Sequence, residues 1–400
     1  MSQYNKNMQL TKTQCDVIGI VRNALNPSME GTVVTLASWP SIEQELSNQA
    51  IQTLPAEVIS NLSISEAEKK AYTVTVAQSL RSFHNLMLEQ EELCGILTDI
   101  PFVILKGAAA AMYYERPEYR QMGDIDILVE PGRFDEAVDI LNSNGYKQEG
   151  DCGRHIGFKS PNGIEIELHR HFSSSDNADQ NDKLDQMLLS AISKREIHDI
   201  YEYSFPTLPR LENGLVLLSH INHHLTGGLG LRQIIDWMMY VRVVLDDSFW
   251  HDCFSTAADA IGMRTLAETT TLLCKKYFGL QNVTWCDCAD DDLADEMLGY
   301  LFDKGNFGRK QEYSSNATVS VLHRLLDPKV AFRYLTAGGM IHWKAAQKYK
   351  VLRPFAWIYQ ICHLVHMGIR RRVGMNVFSS EVKHSIGEAD FLSRLGVTKK

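Results

Sequence analysis

The sequence has few of the features that mark a secreted, membrane-spanning or zinc-binding protein. Its eight cysteines include no Cys-x-x-Cys pair, and the closest spacing is Cys286-x-Cys288, so a structural zinc site is not expected. No uninterrupted apolar run approaches the roughly 20 residues that cross a bilayer, and residues 1–10 lack the apolar core of a secretory signal. These absences favour a cytoplasmic protein with reduced thiols.

Negative charge is missing from one stretch near the end of the chain. The formal net charge is −9, yet no Asp or Glu occurs between Pro328 and Ser380, where there are nine Lys and Arg residues. Three interpretations of this basic region stay open: a packed helical region with a solvated basic face, a contact surface for an anionic partner or membrane surface, or a nucleic-acid site. Because the remainder is acidic, nucleic acid is not expected as a partner.

Length and patterning divide the 400 residues into four regions. We predict an N-terminal helical lead-in at 1–99, a core at 100–175, a helical domain at 176–310, and a basic helical C-terminal region at 311–400. Helical spacing of apolar residues predicts helices at 41–51 and from 63 to about 97. Beyond about residue 175 the pattern is helical, at 215–224, 231–245, 249–261, 264–278, 291–302, 319–326, 340–349 and 354–372.

The core region alternates short apolar runs with turn residues. The pattern predicts strands at 102–105, 124–129, 155–159 and 164–171, with helices at 108–114 and 134–142. Gly107 turns the chain after the first strand, and Pro131-Gly132 ends the second.

Two aspartates, Asp124 and Asp126, open the second predicted strand. Side chains two apart on a strand point to the same face, about 6.5–7 Å apart along it. A buried strand does not begin with two like charges on one face unless something neutralises them. Two carboxylates held in this way suit a pair of hard cations, which in two-metal sites lie about 3.5–4 Å apart and hold a phosphate chain.

Four segments together resemble the DNA polymerase β-like nucleotidyltransferase superfamily and, more closely, a family of largely uncharacterised bacterial nucleotidyltransferases. They are Leu105-Lys106-Gly107, Tyr113 or Tyr114 with Arg120, the strand segment at 123–129, and Glu167-Leu168-His169. The resemblance is firm across residues 100–172 and looser to about residue 245. It implies an α+β fold, in which a polymerase-β-like core with a small mixed sheet and helices is flanked by helical regions. It also implies transfer of a nucleoside monophosphate from an NTP with magnesium.

The resemblance assigns roles to the site residues. Asp124, Asp126 and Glu167 are implied to be catalytic and to bind the metal, which is magnesium or alternatively manganese. Glu165 competes with Glu167 by strand alternation, and we prefer Glu167 because it lies in the carboxylate-Leu-His context of the family. Nucleotide binding is implied for four residues: Lys106, Gly107, Arg120 and Gly123. The wider superfamily usually has Gly-Ser where this chain has Lys106-Gly107.

Three of these residues have an alternative without function. Lys106 can be a solvated strand end, and His169 can be a core histidine. Arg120 can be a surface loop charge or an ion-pair partner of Asp124.

A second cluster lies in the predicted helices at 215–224 and 231–245. His220 and His224 are four apart and share a helix face, but the glutamate of a His-Glu-x-x-His motif is absent, so zinc chemistry is not expected. Arg232 and Asp236 are also four apart, and they either pair with each other or face the cleft. We expect five residues to line the cleft: His169, His220, His224, Arg232 and Asp236.

The predicted function is a magnesium-dependent nucleotidyltransferase. It moves a nucleoside monophosphate from an NTP, expected to be ATP, to an acceptor hydroxyl on a small molecule or protein and releases pyrophosphate. Two alternatives stay open: a catalytically silent nucleotide-binding or partner-binding module, and an enzyme that adds nucleotides to RNA ends. Asp126→Asn is expected to abolish transfer. Because the variant removes like-charge repulsion, its melting temperature is expected to be unchanged or slightly raised.

Overall fold

The computed structural model describes residues 10–26, 37–173, 178–308 and 310, scattered positions between 332 and 349, and residues 350–370, 387–388 and 390–397. The helix predicted at 319–326 lies outside these residues, as does most of the one predicted at 340–349. The chain divides into two compact units, one of Asn7–Lys310 with Leu395–Lys400, the other of Gln311–Arg394 with Met1–Lys6. No described helix combines the length and the apolar character that a membrane span requires.

The larger unit contains one seven-stranded mixed sheet. Its strands are β1 Phe102–Leu105, β2 Asp124–Val129, β3 Lys147–Asp151, β4 His155–Lys159, β5 Glu165–His169, β6 Glu196–Ile200 and β7 Tyr203–Thr207. They lie in the order β3-β4-β5-β2-β1-β7-β6. β2 is antiparallel to β1 and parallel to β5, and β1 is parallel to β7. The predicted α+β class is confirmed.

The β6–β7 hairpin lies where the sequence pattern indicated only helical character. Both strands come after residue 175, and they complete the sheet beside β1. β6 is an edge strand whose residues are mostly exposed, and β3 at the other edge is exposed throughout. An edge strand without a buried face shows no apolar alternation, so the pattern predicted neither β3 nor β6.

Helices precede and follow the sheet strands. In the larger unit they are α1 Lys12–Leu25, α2 Trp39–Asn48, α3 Glu66–Ile96, α4 Gly107–Ala111, α5 Phe134–Ser143, α6 Ala178–Ala191, α7 Arg210–Leu225, α8 Leu231–Val243, α9 Asp247–Phe249, α10 Ser255–Ala260, α11 Arg264–Leu273 and α12 Asp291–Lys304. A π-helical segment, Trp250–Phe254, joins α9 to α10, and another, Cys274–Phe278, extends α11. The smaller unit contributes α13 Ala356–Arg370 after a 3-10 turn at Lys350–Phe355.

The apolar face of the sheet is covered by α3. This helix begins with a capping box, in which the Ser65 hydroxyl accepts from the Glu68 backbone N–H and the Glu68 carboxylate accepts from the Ser65 N–H. Leu86 and Leu93 of α3 share a core with Ile125 and the other alternate residues of β2. Because successive side chains of a strand point to opposite faces, Asp124 and Asp126 lie on the face away from α3.

Candidate active site

Three carboxylates converge where β2 and β5 run side by side. The parallel register places Asp126 opposite Glu167 and Asp124 opposite Glu165. One ligand atom from each of Asp124, Asp126 and Glu167 lies within 4.8 Å of the other two. The structure therefore brings together the three residues to which the sequence analysis gave the metal.

Glu165 is separated from this group, although the register makes it a neighbour of Asp124. Its side chain is exposed and lines a second cavity, of about 860 Å³, together with Glu89 and Glu92 of α3. The cavity that contains Asp126 is lined by Glu167 and not by Glu165. The geometry thus favours Glu167 as the third carboxylate.

The chemistry of these side chains fits a divalent cation. Mg²⁺ and Mn²⁺ prefer oxygen ligands, and carboxylates within 4.8 Å of one another reach a shared ion, or two adjacent ions, through small rotations. Glu167 also belongs to a second group, with His155 and His169, whose ligand atoms likewise lie within 4.8 Å of one another. Imidazole nitrogens suit transition metals rather than magnesium. The chain therefore offers an all-oxygen set and a mixed set that share Glu167.

Asp126 is buried and contacts two basic side chains. Its Oδ1 atom lies 2.8 Å from Lys106 Nζ and 2.9 Å from His169 Nε2, and that imidazole nitrogen lies 3.3 Å from Glu167. Burial raises the pKa of Asp126, but Lys106 and His169 outweigh burial and lower the pKa below its ordinary value. The pKa of Asp124 is raised, chiefly by the charge of Asp126 and then by burial. Asp126 is therefore the more acidic of the two aspartates.

His169 is both a core histidine and a lining residue of the cavity. Burial lowers its pKa, yet the hydrogen bonds to Asp126 and Glu167 bring the pKa above its ordinary value. Its other ring nitrogen, Nδ1, is buried without a hydrogen-bond partner among the described residues. The sequence left open whether His169 is a core histidine or lines the cleft, and the structure shows both features.

The turn after β1 is strained. Lys106 has φ 50° and ψ −132°, and Gly107, which begins α4, has φ 27°. A positive φ is uncommon for a residue with a Cβ, and such strain, of about 1–3 kcal/mol, is concentrated at functional sites. The Lys106 side chain is only 16% exposed and reaches Asp126, so it is not a solvated strand end. Gly107 and Gly123 both line the cavity beside it.

Arg120 is bound to Asp236 rather than to Asp124. Its Nε and Nη2 atoms donate to the two carboxylate oxygens of Asp236 at 2.9 and 2.7 Å, and the Tyr114 hydroxyl donates to the same carboxylate at 2.8 Å. All three residues are buried. Asp236 does not line the cavity, contrary to expectation, because this bidentate pair holds it behind the wall that Arg120 forms.

Arg232 lines the cavity and keeps donors that no described residue accepts. Of the two alternatives for Arg232, pairing with Asp236 or facing the cleft, the structure shows the second, since Asp236 pairs with Arg120 and Arg232 Nη1 donates to the Gln121 carbonyl at 3.2 Å. Its Nε atom is buried with no hydrogen-bond partner in the described part of the chain. Burial and the nearby Arg120 charge lower the pKa of Arg232. Arg232 is therefore a cation at the cavity wall whose hydrogen bond among the described residues goes to a carbonyl.

Histidines of α7 form another wall of the cavity. His220 and His224 lie with ring centroids 4.6 Å apart, and His223 lines the cavity beside them. Burial is the first cause that lowers the pKa of each of these three imidazoles, to about 3 for His224. Neither metal-compatible group found among the described residues includes them. They are neutral at pH 7, so they offer hydrogen bonds and aromatic faces rather than charge.

The cavity has a volume of about 180 Å³. Six of its lining residues were not among the predicted site residues: Met122, Arg154, Phe172, Ser219, His223 and Phe307. His155, in the mixed ligand set, was also missed. It lies opposite His169 in the β4–β5 register, so pairing the two predicted strands would have located it. No sequence signal pointed to Phe307, because it lies about 180 residues after Asp126.

A mixed sheet that carries an Asp-x-Asp strand, a third carboxylate on the parallel neighbour, and a strained glycine turn beside them defines a protein of the nucleotidyltransferase type. Residues 40–279, more than half of the chain, match the model of a family described as uncharacterised nucleotidyltransferase. The chain belongs to this family, which confirms the resemblance inferred from its motifs.

Other comparisons add less. Among solved structures, the chain is similar to an antigenic nucleotidyltransferase-like protein from Paracoccidioides brasiliensis, with 12% identity and a TM-score of 0.31. That match covers 50% of this chain and 94% of the other. The comparison with curated proteins gives no match.

Proposed function

We propose that this protein transfers a nucleoside monophosphate from an NTP to an acceptor hydroxyl and releases pyrophosphate. One observation carries the proposal: Asp124, Asp126 and Glu167 converge within 4.8 Å in a cavity that is also lined by Lys106 and Arg232. This arrangement suits a metal-bound triphosphate, because the carboxylates match the positive metal ion and the basic side chains match the negative phosphates. Membership of a nucleotidyltransferase family supports the same reading.

Different residues of the chain would bind the metal ion and the triphosphate of the donor. Asp124, Asp126 and Glu167 would bind a divalent cation, magnesium or manganese, which when bound neutralises phosphate charge and aligns the triphosphate. Arg232, which lines the cavity, would donate to phosphate oxygens through its guanidinium group, taking the role predicted for Arg120. Lys106 would neutralise the β- or γ-phosphate, since a cation bound to Asp126 would free its ammonium group from that carboxylate.

In the proposed reaction the acceptor oxygen forms a bond to the α-phosphorus. The bond from the α-phosphorus to the bridging oxygen breaks, and its electron pair leaves with pyrophosphate. The hydroxyl proton passes to Glu167. The pKa of Glu167 is lowered, first by its hydrogen bond with His169, so the carboxylate is ionised at neutral pH and able to accept the proton. Positioning and charge stabilisation supply most of the rate.

Pyrophosphate release tests the proposal. Wild-type protein, ATP labelled at the α-phosphate and Mg²⁺ are incubated with a panel of hydroxyl-bearing small molecules, proteins and RNA, and both pyrophosphate and transferred label are measured. We expect label in an acceptor, its loss on adding EDTA, and a reduction of at least about 100-fold in Asp126→Asn and Glu167→Gln.

Glu165→Gln is the matched control, because Glu165 is a carboxylate on the same strand that lies outside the cavity. It should keep activity within about twofold of wild type. A fully active Asp126→Asn protein would contradict the mechanism. Binding of ATP without pyrophosphate release across the panel would favour the silent module, and label found only in RNA would favour RNA-end addition.

A further inference from the structure

Phe307 is exposed at the cavity in a conformation that costs free energy. Its ring lines the same cavity as Asp126 and Lys106, yet the residue is 57% exposed. Its backbone is left-handed, with φ 54° and ψ 31°. A bulky residue with positive φ is a genuine outlier, and exposing a large aromatic ring forfeits its burial free energy. Both costs at one residue call for a compensating role.

The turn that carries Phe307 is anchored on both sides. The Phe307 N–H donates to the Gly228 carbonyl at 2.9 Å. The preceding Asn306 is buried and accepts a hydrogen bond from Gln233 of α8. The Phe307 ring meets the imidazole of His224 edge-on, with centroids 4.9 Å apart. The backbone is therefore anchored, and the ring contacts His224 while more than half of the residue stays exposed.

The size of the cavity decides which part of an NTP can occupy it. Pockets that enclose a whole small-molecule ligand have volumes of about 300–1,000 Å³. The cavity around Asp126 has only about 180 Å³. The carboxylates and Arg232 give it the chemistry of a phosphate site, so the enclosed volume suits the triphosphate. The base must then lie at the rim, where Phe307 is exposed.

Tyr201 is also an exposed aromatic residue with positive φ, but its contacts give it a structural role. It is 58% exposed and also left-handed, with φ 56°. However, its hydroxyl donates to Glu118, and it lies in the β6–β7 turn and does not line the cavity. Phe307 has no polar side-chain atom through which such a bond could compensate its strain.

We propose that Phe307 is the platform on which the base of the donor nucleotide stacks. The inference rests on the proposed function, because it assumes that the triphosphate occupies the cavity beside Asp126. Aromatic stacking is available to all four bases, since every base has a π-face. Phe307 therefore contributes affinity for nucleotides over inorganic polyphosphates with little selection among the bases.

Calorimetric titration tests the proposal with two ligands in the presence of Mg²⁺: ATP, and tripolyphosphate, which has no base. Phe307→Ala should weaken ATP binding by about 5- to 150-fold, the range that stacking on one aromatic ring supplies. Tripolyphosphate should bind the variant within about twofold of wild type. Phe307→Asn should behave like Phe307→Ala while relieving the strain, because asparagine tolerates positive φ. Phe307→Trp should retain ATP binding.

Tyr201→Ala is the matched control, an exposed and left-handed aromatic residue outside the cavity, and it should leave both affinities unchanged. Equal ATP affinity in Phe307→Ala and wild type would overturn the platform, as would an equal loss for ATP and tripolyphosphate. A loss of ATP binding in Phe307→Trp as large as in Phe307→Ala would also overturn it. If wild-type protein binds neither ligand, the proposed function itself fails, a result distinct from the others.

Discussion

Asp126 is buried between Lys106 and His169, and these partners reverse the expected effect of its removal. The sequence suggested that Asp126→Asn relieves repulsion from Asp124. In the structure the Lys106 ammonium and the His169 imidazole both contact the carboxylate, so the variant removes a negative charge that these two buried groups face. We predict a loss of about 2–3 kcal/mol in the free energy of unfolding. Urea titration at pH 7 measures it.

Asp124→Asn is the comparison that isolates this effect. The charge of Asp126 and burial raise the pKa of Asp124, so its ionised form is the disfavoured one. A neutral amide at position 124 should therefore leave stability unchanged or slightly higher. Equal destabilisation by the two variants would show that Lys106 and His169 do not distinguish the aspartates.

The two arginines near the cavity differ in what their guanidinium groups touch. Arg120 and Asp236 form a buried bidentate pair, and truncating Asp236 to alanine leaves Arg120 uncompensated. We predict that Asp236→Ala lowers the free energy of unfolding by about 3–5 kcal/mol. Arg232→Ala should change it by less than about 1 kcal/mol while weakening tripolyphosphate binding about tenfold, because no carboxylate in the described part of the chain pairs with Arg232. Urea titration and calorimetry separate the two roles. A large stability loss in Arg232→Ala, together with a binding loss confined to Asp236→Ala, would contradict these roles.

At the scale of one element, α7 makes the stability of the protein dependent on pH. The pKa values of His220 and His224 lie below the ordinary 6.5, mainly because of burial. The unfolded chain binds more protons than the folded one below pH 6.5, so stability is complete above that pH and falls as pH decreases, toward about pH 3 for His224.

We expect each of these histidines to contribute at most about 1.4 kcal/mol per pH unit to that loss. The free energy of unfolding, measured from pH 7.5 to 5, should decline less steeply in His220→Asn and His224→Gln than in wild type. His251→Gln, which replaces an exposed histidine, is the control. An identical slope in all four proteins would contradict the assignment.

At the scale of the whole molecule, hydrogen bonds join segments that are distant in sequence within one compact unit. Gln49, in the predicted N-terminal lead-in, is fully buried. Its amide donates to the Leu301 carbonyl of α12 and accepts from the Leu231 N–H at the start of α8. The lead-in therefore joins the helices that follow the sheet within the unit Asn7–Lys310. The four predicted regions remain a proposal about the chain's organisation, and six of the nine Lys and Arg residues of the basic stretch lie outside the described residues.

The sequence by itself determined the local features: the apolar strands, the glycine turn, the two aspartates on one strand face and the family to which they point. These follow from periodicity and from residue types at short spacing, which a linear pattern records. The tertiary structure decided the choice among equally spaced partners. It paired Asp236 with Arg120 rather than Arg232, separated Glu165 from Glu167, and brought Phe307 to the carboxylates. Such choices depend on burial and on the crossing of distant elements, because a charge selects its partner by the free energy of desolvation and not by its position along the chain.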